Sequence, residues 1–190
     1  MDANHYRLTS TWRLPAPPER VYRTLRDVPG YPHWWPQVRQ VVPLDERTGQ
    51  LRIRSLLPYQ LLVTAHERRQ DPPPAFGRGD PHPSPGRGDP HSSPGRGDPH
   101  PSPGRRDPQP PAGVLEAELT GDLVGWSRWT VHPAGAGAAV AVFEEEVRPG
   151  KALMRRLALP GRPLFLANHA LMMRAGERGL RRLLARGPGG

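Results

Sequence analysis

The sequence predicts an α+β domain, an antiparallel meander sheet held against one major helix. Two observations carry this. Seven segments read as strands, most of them alternating apolar and polar side chains with the period of two that marks a half-buried sheet. The stretch Leu164 to Arg186, LFLANHALMMRAGERGLRRLLAR, instead repeats apolar residues at spacings of three and four, the period of an amphipathic helix.

In chain order, residues 6 to 14 (YRLTSTWRL) place Tyr6, Leu8, Ser10, Trp12 and Leu14 on one face and Arg7, Thr9, Thr11 and Arg13 on the other. Pro15, Pro17 and Pro18 end this strand, and Pro17 or Pro18 opens a short helix with Val21, Leu25 and Val28 on one side. Pro29-Gly30 breaks it, and YPHWWP begins a second short helix whose end packs on the sheet. Strands follow at Val38 to Leu44, Gln50 to Leu57 and Tyr59 to Arg69, then at Val114 to Thr120, Val124 to His132 and Ala138 to Val147. Arg148 to Pro163 links sheet to helix, with Pro160-Gly161 expected to kink or break any turns before it and Pro163 expected at the first helical position. On the helix, Leu164, Asn168, Leu171, Met172, Ala175, Gly179 and Leu183 form the expected buried stripe, so a charge at Leu171 or Met172 is expected to unfold the domain.

Residues 71 to 111 break the pattern. GRGDPHPSP (77–85), GRGDPHSSP (86–94) and GRGDPHPSP (95–103) repeat with a period of nine, and GRRDPQPPA decays from it. The segment holds 14 of the 27 prolines and almost no apolar side chains. It cannot offset its own ordering entropy, and it reads as a disordered insertion in a strand-to-strand connection. Residues 1–70 and 112–190 then form one domain. The copies of Arg78-Gly79-Asp80 and the histidines His82, His91 and His100 read as products of the repeat rather than as an adhesion or metal site.

Composition excludes several classes. There is no cysteine, hence no disulfide framework, thiol nucleophile or thiolate metal site. No apolar run reaches the ~18 residues of a membrane span, and MDANHYRLTS lacks the apolar core of a signal peptide. A cytoplasmic protein without stable membrane insertion is expected. The net charge of +9 arises almost wholly from arginine, Lys151 being the only lysine. No RNA- or DNA-binding pattern accompanies it, so no nucleic-acid partner is expected. G-x-S-x-G, phosphate-loop and H-E-x-x-H patterns are absent, and neither a metal nor a cofactor is expected.

PAPPERVYRTLRDVPGYPHWWPQV (15–38), following the first strand, resembles the opening of the START-like, Bet v 1-like superfamily (SRPBCC), in its polyketide cyclase/dehydrase branch. GWSRWTVHP with AVAVFEEEV resembles the family's last hairpin, and NHALMMRAGERGLRRLL its final helix. The resemblance implies a helix-grip fold, a curved antiparallel sheet wrapped around a long C-terminal helix with a cavity between. It implies a hydrophobic small-molecule partner such as a lipid, isoprenoid or polyketide, carried without turnover or acted on by a cyclase or dehydratase. The large aromatics Tyr6, Trp12, Trp34, Trp35, Tyr59 and Trp126 are candidates for the cavity wall, with Met172 beside them and Arg128, Asn168 and His169 as its sparse polar contacts. Of Glu144, Glu145 and Glu146 at least one must point inward, where Arg128 is its expected partner.

Overall fold

A computed structural model describes residues 5–55, 60–73, 113–135, 137–150 and 152–186, the side chains of 152–162 excepted. The expected alternation builds β1 (Tyr6–Leu14), where Tyr6, Leu8, Trp12 and Leu14 are buried and the arginines exposed. Pro18 sits in the first turn of α1 (Pro18–Arg26), where its missing N–H is harmless; Val21, Tyr22 and Leu25 face the core. A 3-10 turn at Val28–Gly30 leads into α2 (Tyr31–Trp34). Six strands follow: β2 (Val38–Pro43), β3 (Thr48–Arg54), β4 (Gln60–Asp71), β5 (Gly113–Gly121), β6 (Leu123–Pro133) and β7 (Ala139–Pro149).

All seven strands form one antiparallel sheet in the order β1-β7-β6-β5-β4-β3-β2. The first strand therefore closes against the last, Tyr6 opposite Val147 and Leu14 opposite Ala139. Register shifts in β2, between Val38 and Gln40, and in β4, between Glu67 and Arg69, add the local bend that curves such a sheet. The β5–β6 connection is tight: Gly121 adopts φ +94°, and the buried Asp122 accepts a hydrogen bond from the Leu62 N–H at 2.9 Å.

The long helix, α3 (Ala152–Ala185), packs on β1, β7 and α2, which gives the helix-grip architecture. It starts well before Pro163 and continues through Pro160 and Pro163, contrary to the expected break. Each proline removes one backbone donor, but ALMRRLAL ahead of them consists of strong helix formers. The buried stripe is also rotated from the expected one. Asn168, His169, Met173, Gly176, Leu180 and Leu184 face the sheet, whereas Leu164 and Leu171 are 50% and 47% exposed. Met172 lies half-buried at the edge of the stripe. Among the described residues no helix is long and apolar enough to cross a membrane.

Two apolar clusters result. One joins Trp12, Tyr31, Trp34, Trp35 and Trp129 to Met173, Leu180 and Leu184 of α3. The other joins Tyr6 and Leu8 to Leu61, Val63, Leu119 and Leu123, with Phe165 against it.

Most of the repeat insertion lies outside the described residues, but its roots do not. Asp71, which the sequence reading assigned to the insertion, belongs to β4 and pairs with Val114 of β5. The strands on either side are thus already adjacent. Replacing residues 75–110 by a short turn should lower the melting temperature by no more than about 4 °C, roughly what 1 kcal/mol produces in a domain of this size. A larger fall by circular dichroism would mean that the repeat contributes to the core.

Candidate functional site

The concave face of the sheet does not close completely on α3. Between them lies a cavity of about 480 Å³. Leu51 and Ile53 of β3, Leu61, Val63 and Ala65 of β4, and Leu115, Ala117 and Leu119 of β5 line it from the sheet. Ala65 and Ala117 are the smallest of these side chains, and space remains where leucines would fill it. Trp129 of β6, paired with Leu115, and Phe143 of β7 continue this sheet wall, and α3 adds Phe165, Asn168, His169 and Met172. Exposed charged residues of the β2–β3 turn (Asp45, Glu46, Arg47), together with Arg26 and Arg69, line the outer end of the cavity. There Arg47 stands 3.7 Å from Glu67.

Trp35 is the best-fixed aromatic of the wall. Its indole N–H donates to the Met172 carbonyl at 3.1 Å, tying α2 to the middle of α3. Its ring stacks on Trp34, with centroids 5.3 Å apart, and meets Trp12 edge-on at 5.5 Å. The helix accommodates this corner through two glycines: a Cβ at Gly176 would lie 2.6 Å from the Trp35 ring, and one at Gly179 would overlap the Trp34 carbonyl oxygen.

The polar residues gather at the inner end. Glu145 and His169 are 7% and 8% exposed, and Glu145 Oε2 lies 3.5 Å from His169 Nε2. That distance permits an ion pair, yet Nε2 makes no hydrogen bond among the described residues. Ser55 Oγ donates to Asn168 Oδ1 at 3.3 Å beside them, and Ser127, opposite Glu145 in the ladder, faces the same space. Tyr31, buried on the wall, is committed. Its hydroxyl donates to the Leu25 carbonyl at 2.6 Å, and burial, reinforced by the nearby Asp27 charge, pushes its pKa well above the ordinary tyrosine value. It stays protonated and offers no base. No group of three or more His, Asp or Glu side chains among the described residues could hold a metal ion.

Of the residues singled out in the sequence, Trp35, Asn168, His169 and Met172 line the cavity. Trp12 and Trp34 are buried behind Trp35 and build the core that seats it. Tyr6 packs on Phe165, with ring centroids 4.4 Å apart, in the second cluster. Tyr59 lies outside the described residues. Trp126 and Arg128 occupy the outer face of β6, contrary to expectation, because Ser127 and Trp129 take the inward positions of that strand. Arg128 donates to Glu116 Oε2 at 2.7 and 2.9 Å, with Glu144 at 4.0 Å and the Trp126 ring 5.1 Å away. The inward carboxylate, Glu145, pairs with His169 instead of Arg128.

Trp129, Phe143 and Phe165 were not singled out. For Phe143 a signal existed: in AVAVFEEEV it shares its face with Ala139, Ala141, Glu145 and Val147, which makes the middle glutamate the inward one.

Residues 14–78 match the sequence model of the family described as Polyketide cyclase / dehydrase and lipid transport. No curated protein matches the sequence. Among solved structures, the Zhui aromatase/cyclase from Streptomyces sp. R1128 aligns at 14% identity and TM-score 0.62, over 96% of this chain and 94% of that one. A START superfamily protein from Mycobacterium smegmatis aligns at 12% identity and TM-score 0.60, over 95% and 97%. The di-domain ARO/CYC BexL from the BE-7585A biosynthetic pathway aligns at 13% identity and TM-score 0.57, over 98% of this chain and 52% of that one. At these identities the likeness to solved structures is one of fold.

Proposed function

We propose that this chain, which resembles the START-like superfamily in its polyketide cyclase/dehydrase-type branch, binds a hydrophobic small molecule, such as a lipid, isoprenoid or polyketide, in its internal cavity. The observation that carries this reading is the cavity of about 480 Å³ between sheet and α3, walled mainly by aliphatic and aromatic side chains, with charged residues at its outer end and Glu145, His169, Asn168 and Ser127 as the polar groups inside. That volume and that sparse polarity are typical of sites for small organic ligands. A second reading, a cyclase or dehydratase acting on a polyketide-like precursor, is favoured by one observation: Glu145 and His169 put a carboxylate and an imidazole side by side in an apolar enclosure, the kind of pair that positions and moves a proton.

Apolar burial should drive binding. 8-Anilinonaphthalene-1-sulfonate is expected to bind the native protein at one site, to quench tryptophan emission through Trp35 and Trp129, and to show a negative heat-capacity change. Its affinity should change by less than about threefold between 50 and 500 mM salt, where a polyanion site would lose orders of magnitude. Trp35→Ala should weaken it. Absence of any saturable probe binding, with tight nucleic-acid binding at physiological salt, would overturn the reading and make the +9 charge the functional feature.

A further inference from the structure

The inner end of the cavity is complementary to one chemical group. The Glu145 carboxylate, when ionised, only accepts hydrogen bonds. His169 Nε2 faces it at 3.5 Å without making a hydrogen bond among the described residues. The tautomer that carries its proton on Nε2 is the one this arrangement favours, because a ring lone pair aimed at a carboxylate is repelled. The site therefore presents one acceptor and one N–H donor side by side, both more than nine-tenths buried. A hydroxyl satisfies both: its O–H donates to Glu145 and its oxygen accepts from His169. An ether or ketone oxygen accepts from His169 alone and turns a lone pair toward the carboxylate, leaving a buried charge unmet.

The surroundings specify what carries the hydroxyl. The Phe143 ring lies nearly parallel to the His169 imidazole, at 22° and 6.3 Å between centroids, and Trp129 packs on Phe143 at 4.8 Å. Phe143 thus adjoins the polar pair, and Trp35, Trp129 and Phe165 line the same cavity, so a flat aromatic body finds aromatic partners there that a flexible aliphatic chain would not use. We infer that the cavity selects a hydroxylated aromatic, a phenol or naphthol, whose hydroxyl bridges Glu145 and His169. This inference rests on the cavity reading above and adds the ligand class to it.

The test is displacement of 8-anilinonaphthalene-1-sulfonate by three compounds of nearly equal size: 2-naphthol, 2-methoxynaphthalene and naphthalene. The wild-type protein should prefer 2-naphthol over 2-methoxynaphthalene by about tenfold, the effect of one charge-assisted hydrogen bond. Glu145→Leu and His169→Phe should each reduce that preference to less than about threefold, read as the ratio of the two affinities within each variant. The two variants guard each other against a folding defect, and the wild-type series decides by itself. Equal binding of 2-naphthol and 2-methoxynaphthalene would overturn the inference and leave the cavity reading standing, as would a preference that survives both substitutions. If none of the three displaces the probe, the cavity reading fails and the inference with it.

Discussion

Leu180→Asp is expected to abolish folding, whereas Leu171→Asp should melt within about 2 °C of the wild type, surface changes being worth about half a kcal/mol or less. Leu180 is 0% exposed, in the cluster that joins α3 to the tryptophans; Leu171 is 47% exposed. A carboxylate at position 180 would be buried with no partner, at a cost of several kcal/mol, against a total stability of about 5–15 kcal/mol for an ordinary domain. Circular dichroism melts of the two variants separate the outcomes. Unfolding by Leu171→Asp with tolerance of Leu180→Asp would return the helix to the orientation its hydropathy suggests.

Gly179→Ala should destabilise the domain by about 3 kcal/mol, at the upper end of overpacking effects. Two effects compete. Replacing glycine by alanine in a helix interior normally stabilises by about 1 kcal/mol through propensity. Here the new Cβ would overlap the Trp34 carbonyl oxygen, and backbone cannot swing aside as a side-chain tip can. Sterics therefore win, and α3 must lift from the Trp34–Trp35 corner. Gly176→Ala meets side-chain atoms of Trp35 and Trp12 at 2.6 and 2.9 Å and should cost less, about 1–2 kcal/mol, because rings can shift. Urea unfolding gives both values. Stabilisation by Gly179→Ala would mean that the corner does not seat on the helix.

The strands and their order were legible because period-two alternation is local: YRLTSTWRL states its own two faces. Which face turns inward is not local. Trp126 and Trp129 lie three residues apart on opposite faces of β6, and hydropathy favours neither. Only pairing with β7, Trp129 opposite Phe143 and Trp126 opposite Glu146, decides it. The helix failed in a related way. Its apolar residues support two stripes offset by about one residue, and the expected stripe ran through Gly179 and left out Gly176, which is buried against Trp35. Its smallness is what the tryptophan corner requires. The cavity's polar end was half legible. His169, Asn168 and an inward glutamate were foreseen, but Arg128 was the expected partner of that glutamate, since nothing in the sequence shows that β6 turns Arg128 outward.

The most direct test of the account is to fill the cavity. Ala117 of β5 lies on its wall, opposite Glu67 of β4 in the ladder and diagonal to Ala65, and both alanines line the cavity. Ala117→Phe should place a ring in that space without disturbing the Trp34–Trp35 corner. The expected result is native circular dichroism, a melting temperature unchanged or raised, and loss of at least about tenfold in 8-anilinonaphthalene-1-sulfonate affinity, the equivalent of 1.4 kcal/mol. Wild-type affinity in a folded Ala117→Phe variant would show that the probe binds elsewhere and contradict an internal ligand site.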